Sequence, residues 1–217
     1  MQLFIDSAEI EKVKNAYELG VIDGVTTNPS LVTRTDREYE EVVSDLDTLV
    51  DGPISVEVIG TEADEMVHEA RVYDTWGDDI VVKVPMTAEG LKAVDRLSAD
   101  GIDTNVTLVF SPVQALLAAK NGARYVSPFA GRVNDIGHDG YELISEIRTI
   151  YDRHNFDTQV LVASVRSTRY VKEAAKIGAD IVTVPPWVFD MMLEHPLTDS
   201  GLESFLDDWG DRETPAK

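Results

Sequence analysis

The 217-residue chain reads as an α/β protein, a (β/α)8 TIM barrel with an extra C-terminal helix, on three observations. Short apolar runs alternate with amphipathic stretches at helical spacing from the first residue almost to the last, which is βα repetition. There are eight such runs, the number that closes a barrel. The first βα turn, Asp6-Ser7-Ala8-Glu9, lacks the glycine-rich phosphate fingerprint of an open doubly wound sheet. No Pro/Gly/Ser-rich linker divides the chain, so residues 1–217 are expected to form a single domain.

Strand 1 is read at Gln2–Asp6, with Ser7 before a helix Ala8–Leu19 that Gly20 stops. Strand 2 is Gly24–Asn28; the acid-rich segment Asp36–Asp51 then carries apolar positions at helical spacing. Strand 3 is Ile54–Val58, and Thr61 with Asp64 three residues on marks the next helix start. Strand 4, Ile80–Pro85, runs into Met86-Thr87-Ala88-Glu89-Gly90, a break and N-cap. Strand 5 is Thr104–Phe110, after which Ser111-Pro112 opens the helix Val113–Asn121. Strands 6, 7 and 8 are Tyr125–Phe129, Gln159–Ala163 and Ile181–Val184; Gly122-Ala123 and Gly178-Ala179 close the helices before strands 6 and 8. Pro186–Leu193 serves as the helix after strand 8, which leaves Asp199–Gly210 surplus to eight units. Its Leu202, Phe205, Leu206 and Trp209 share one helical face, which must cover either its own barrel or a neighbouring subunit. The tail from Arg212 to Lys217 is expected to be loose.

Composition excludes several functions. Forty acidic against nineteen basic residues give a net charge of −21 and an isoelectric point near 4.4, which disfavours nucleic acid and anionic membrane surfaces. With no cysteine and four scattered histidines (His68, His138, His154, His195), no metal site or cofactor is implied. The N-terminus is charged too early for a signal peptide and no apolar stretch approaches the ~20 residues of a membrane span, so a soluble, cytoplasmic protein is expected. Eight lysines on so acidic a chain resemble proteins from cells of molar internal salt, where self-repulsion is screened within about 3 Å.

Lys83 stands inside the apolar run Ile80-Val81-Val82-Lys83-Val84-Pro85. Burial disfavours an ammonium, and a neutral amine attacks carbonyls, so Lys83 is a candidate Schiff-base nucleophile; a structural ion pair with Glu57 is the alternative. In a barrel the functional groups gather at the carboxyl ends of the strands. Those ends carry Asp6, Thr26-Thr27-Asn28, Glu57, Lys83, Asn105 and Thr107, then Arg132 after strand 6 and Ser164 and Arg166 after strand 7. Singly each has a structural explanation; together they permit class I aldolase chemistry, with Asp6 and Glu57 moving protons and the two arginines suited to a phosphate.

The segments Val25-Thr26-Thr27-Asn28-Pro29-Ser30-Leu31, Val81 through Leu91, Asn105 through Phe110, Ser127-Pro128-Phe129-Ala130-Gly131-Arg132 and Ala163-Ser164-Val165-Arg166 resemble, in order, the motifs of the transaldolase family. In length the chain is similar to its small branch, which also contains fructose-6-phosphate aldolases. The resemblance implies that Lys83 forms the Schiff base, Asp6 transfers protons, and Glu57 with Thr107 holds a catalytic water. It further implies a substrate-binding set of Thr26, Asn28, Asn105, Ser127 and Phe129, with Arg132, Ser164 and Arg166 on the phosphate. Val165 and Ala130 replace bulkier family residues. The implied activity moves dihydroxyacetone from sedoheptulose 7-phosphate or fructose 6-phosphate to an aldose phosphate, in the pentose phosphate pathway and without a cofactor. Release of free dihydroxyacetone by an aldolase, or a non-catalytic barrel that binds sugar phosphate, are the alternatives. By resemblance Phe129 and Glu57 match transaldolases, whereas fructose-6-phosphate aldolases carry tyrosine and glutamine there. The branch also implies a homo-oligomer, a pentamer or decamer whose subunits exchange C-terminal helices.

Overall fold

A computed structural model describes residues 1–210. Eight parallel strands close on themselves in sequence order: β1 (Gln2–Asp6), β2 (Gly24–Thr26), β3 (Ile54–Glu57), β4 (Ile80–Pro85), β5 (Thr104–Val109), β6 (Tyr125–Pro128), β7 (Gln159–Val162) and β8 (Ile181–Val184), the last pairing back with β1. Helices form the outer ring: α1 (Ile10–Tyr17), α2 (Pro29–Val32), α3 (Tyr39–Leu49), α4 (Ala63–Tyr73), α5 (Ala88–Asp100), α6 (Pro112–Lys120), α7 (Ala130–Asp135), α8 (Gly140–His154), α9 (Thr168–Ile177), α10 (Pro186–Leu193) and α11 (Pro196–Trp209). The fold is the expected (β/α)8 TIM barrel.

Side chains alternate along each strand, so the barrel has two cores. Outward residues such as Ile5, Val25, Val56, Val82 and Val106 pack with the helices in one large cluster. Phe4, Val81, Tyr125, Leu161 and Ile181 form a second, separate cluster, the plug inside the barrel. At the amino ends of the strands, Arg124 pairs with both Asp79 and Asp103 at 2.8 Å, and Arg148 pairs with Asp180, whose carboxylate also accepts the Val160 N–H.

Boundaries differ from expectation at several places. Five strands stop one or two residues early, because Thr27-Asn28, Val58, Phe110, Phe129 and Ala163 have left the regular ladder and begin the turns into the following helices. Helix α1 spans only Ile10–Tyr17; Ser7 accepts the Glu9 N–H rather than capping a helix from Ala8. Helix α4 is capped by Glu62 with Glu65 in a reciprocal box, one residue after the expected Thr61 and Asp64. Thr87 and Ser111 cap α5 and α6 as read, accepting from Gly90 and Gln114. The C-terminal helix begins at Pro196, not Asp199: proline suits the first helical position, and the His195 ring accepts the Leu197 N–H. It buries no residue and exposes Leu197, Leu202, Phe205 and Leu206. The expected loose tail, Arg212 to Lys217, lies outside the described residues.

Candidate active site

Two residues beyond the apolar plug, the same inward-facing positions turn polar. Glu57 and Lys83 are register partners on β3 and β4, so strand alternation aims both side chains into the barrel. Lys83 Nζ donates to Glu57 Oε2 at 2.9 Å and to the Thr27 carbonyl at 2.8 Å. Lys83 is buried, 6 % exposed, so the amine sits inside the barrel with two acceptors and borders the cavity above it.

That cavity, about 330 Å³, opens at the carboxyl ends of the strands, where the barrel fold places ligand sites. Ten of the twelve residues singled out in the sequence line it: Asp6, Thr26, Asn28, Lys83, Thr107, Ser127, Phe129, Arg132, Ser164 and Arg166. Glu57 and Asn105 do not line it but bond to residues that do.

Asp6 ends β1, between β2 and β8 and three strands round the barrel from β4. Thr26 Oγ1 donates to Asp6 Oδ1 at 2.7 Å and lies 2.7 Å from Thr183 Oγ1; with the Thr26 proton on the carboxylate, Thr183 is the donor to Thr26. Burial raises the Asp6 carboxyl above its ordinary value, and the positive charge of Lys83 and the Thr26 bond pull it back in part. A carboxyl so placed suits proton transfer.

On the far wall, Ser127 Oγ donates to Asn105 Oδ1 at 2.7 Å, and the Asn105 amide donates to Ser55 Oγ at 3.3 Å. The Ser127 proton is thus committed, and its lone pairs remain for a hydroxyl in the cavity. Thr107 Oγ1 is buried with no hydrogen-bond partner among the described residues, and Thr107 lines the same cavity. An unpartnered buried hydroxyl costs about 1 to 3 kcal/mol, which a bound polar group removes. The strand carries a register shift beside it, with Leu108 at φ 58°, a left-handed conformation unusual for leucine.

The rim after β6 and β7 brings the arginines together. Arg132 stacks on the Phe129 ring at 4.9 Å and makes no ion pair among the described residues. Arg166 pairs with Asp135 at 2.8 Å, both about half exposed, in a surface salt bridge that leaves Arg166 on the cavity wall. Gly131 permits this approach: a Cβ there would run into the Ser164 carbonyl, which sits on a residue with φ 60°. Sequence reading missed Thr183, Pro185 and Trp187 on the wall. Thr183 carried a signal, a polar residue in the apolar run of strand 8, the pattern that drew attention to Lys83.

Fold and cavity together define a (β/α)8 barrel with an ion-paired lysine at the carboxyl ends of its strands, flanked by a half-buried aspartate and two rim arginines. The chain belongs to the Transaldolase/Fructose-6-phosphate aldolase family, whose sequence pattern matches residues 3–214. It is 54% identical over 209 residues to a "Probable transaldolase" of Aquifex aeolicus, covering 96% of each chain. It is 52% identical over 212 residues to a "Probable transaldolase" of Thermoplasma volcanium, covering 96% of this chain and 95% of the relative. A crystal structure from Coccidioides immitis, assigned as a fructose-1,6-biphosphate aldolase, shares the fold with a TM-score of 0.59 at 14% identity, over 85% of this chain and 73% of the other. Among the described residues no helix is long and apolar enough to cross a membrane.

Proposed function

We propose that this transaldolase-family enzyme transfers a dihydroxyacetone unit between a ketose phosphate and an aldose phosphate through a Schiff base on Lys83. The observation that carries the reading is the buried Lys83 amine at the floor of the cavity, with a carboxylate on either side: Glu57 bonded to it, and Asp6 near enough for its charge to be felt. In this scheme the amine adds to the ketose carbonyl, and loss of water leaves an iminium. A carboxylate takes the proton of the adjoining hydroxyl, the carbon–carbon bond breaks, and its electron pair flows into the iminium to give an enamine. The aldose departs, and the enamine attacks the aldehyde carbon of the incoming acceptor. Asp6 suits the hydroxyl proton, while Glu57 and Thr107 suit a water used in dehydration and hydrolysis. Asn28 and Ser127, the latter oriented by Asn105 behind it, suit the dihydroxyacetone hydroxyls; Arg132, Ser164 and Arg166 suit the phosphate.

Phe129 favours transfer over simple cleavage. It brings a phenyl ring and no hydroxyl to the cavity, so it offers no donor to orient the water that would release the enamine. Reduction with sodium borohydride in the presence of fructose 6-phosphate is expected to leave a stable adduct on Lys83 by mass spectrometry. No adduct, or one elsewhere, would overturn the Schiff-base reading. Turnover is expected to depend on an added aldehyde acceptor; equal release of free dihydroxyacetone without one would make the protein an aldolase.

Two wider expectations belong here. The exposed apolar face of α11 supports a homo-oligomer, which sedimentation equilibrium tests. The net charge of −21 supports work in a salty cytoplasm: activity and thermal midpoint are expected to rise from dilute buffer toward molar salt, and a flat response would end that reading.

A further inference from the structure

The end of the β2–β3 ladder contains a substitution of partners. Strands β2 and β3 pair through Thr26↔Ser55, and the Thr27 N–H still reaches the Ser55 carbonyl at 3.0 Å. In a parallel ladder the next rung would run from the Glu57 N–H to the Thr27 carbonyl. That carbonyl instead receives Lys83 Nζ at 2.8 Å, and the Glu57 N–H goes to the hydroxyl of Tyr39, the first residue of α3, at 2.8 Å.

Tyr39 Oη also lies 3.2 Å from Thr27 Oγ1. The Thr27 hydroxyl has one proton, which it donates to the Ser55 carbonyl at 2.8 Å, so the phenol must be the donor to Thr27. The chain therefore has a fixed direction: Glu57 N–H to Tyr39 oxygen, Tyr39 proton to Thr27 oxygen, Thr27 proton to the Ser55 carbonyl. The Tyr39 ring is held by edge-on contacts with Tyr73 and Trp76, each at 5.7 Å between centroids. Burial raises the phenol above its ordinary value, which keeps its proton in place at neutral pH.

We infer that Tyr39 is a positioning residue for Lys83: by standing in for the missing ladder rung, its hydroxyl frees the Thr27 carbonyl and fixes the Glu57 backbone, the two groups that hold the amine. The inference rests on the reading of Lys83 as the nucleophile. Removing the hydroxyl lets the Glu57 N–H reclaim the Thr27 carbonyl, closing the rung and drawing one acceptor away from Lys83. The phosphate rim after β6 and β7, with Arg132, Ser164 and Arg166, is untouched.

The test uses the full chain, measuring steady-state turnover of fructose 6-phosphate with an aldose phosphate acceptor and the rate of borohydride trapping on Lys83. In Tyr39→Phe, kcat and the trapping rate are expected to fall together by about tenfold, with KM within about twofold. Trp76→Phe disturbs the same aromatic cluster without touching the hydroxyl, and is expected to lower the thermal midpoint with kcat unchanged. If Tyr39→Phe does not fold, Thr27→Val breaks the same chain one bond further along and is expected to show the same division between kcat and KM. Unchanged kcat and trapping in the variant that folds, a loss confined to KM, or an equal loss in Trp76→Phe would overturn the inference. Absence of an adduct in the unsubstituted protein would overturn the nucleophile reading first, and this one with it.

Discussion

The two halves of the barrel interior are built on the same strands, two residues apart, and on four of the five strands that form the plug the upper residue is polar. Phe4 is followed by Asp6, Val81 by Lys83, Tyr125 by Ser127, Leu161 by Ala163 and Ile181 by Thr183. The lower residues are fully or nearly fully buried and pack on one another, with the Tyr125 ring also covered by the Arg124 guanidinium at 5.0 Å. All the upper ones but Ala163 form directed hydrogen bonds; beside them Thr107 Oγ1 has no partner among the described residues, and burial raises the Asp6 carboxyl. The difference teaches that stability and chemistry are separated by height within one sheet. The plug gains from exclusion of water; in the layer above it the Thr107 hydroxyl has no partner among the described residues, which costs stability and leaves it open to a ligand.

Substitutions that respect or cross this boundary test the separation. Lys83→Met is expected to reduce transfer on the order of 10⁴-fold or more, about 5 kcal/mol of barrier, and to abolish the borohydride adduct, with the fold retained by circular dichroism. Phe4→Ala, one layer down, is expected to cost about 3 to 5 kcal/mol of stability in urea denaturation and to leave the folded fraction active. A loss of kcat per folded molecule in Phe4→Ala would show that the layers are coupled. At the rim, Arg132→Ala and Arg166→Ala are each expected to lose about 1.5 to 3 kcal/mol of binding to phosphorylated ketoses, read in KM, and little for unphosphorylated analogues. Arg166 should show the smaller effect, because a phosphate must share it with Asp135.

The smallest effect is the most diagnostic. Asp6 is raised in the folded chain chiefly by burial, so its contribution favours folding fully below the ordinary carboxylate value near pH 4 and is lost as pH rises through the folded value. At neutral pH its charge therefore opposes folding. Asp6→Asn is expected to raise the thermal midpoint at pH 7 while transfer falls, and the gain should shrink as pH drops toward 4. A lower midpoint at pH 7 would mean that Lys83 and Thr26 repay more than burial removes.

Most of this interior was legible in the sequence because a charge or an amide in an apolar strand is conspicuous: Lys83 among valines, Glu57 after Ile54-Ser55-Val56, Asn105 before Val106. Strand ends were less so. The apolar runs continue past Pro128 and Val162 into Phe129 and Ala163, which meet in an isolated bridge and no longer belong to a regular ladder, and hydrophobicity does not report hydrogen-bond partners. The cap of α4 slipped by one residue because Thr61-Glu62 and Asp64-Glu65 offer two overlapping boxes, and the choice depends on tertiary contacts at Gly60 and Glu69. Tyr39 gave no signal at all: a tyrosine at a helix start is ordinary, and its role lies in strands that are distant in sequence.

The register of Glu57 against Lys83 has a consequence for how this barrel can change length. Side-chain direction in a strand has parity, odd or even, and no intermediate value. Deleting one residue from Ile80–Val82, with the start of the strand held, would bring Val84 opposite Glu57 and turn the amine outward among the helices. Insertions in the turns carry no such penalty, since loop closure grows only slowly with length. The chain is thus free to vary in its connections and is locked, residue by residue, in eight short counted segments.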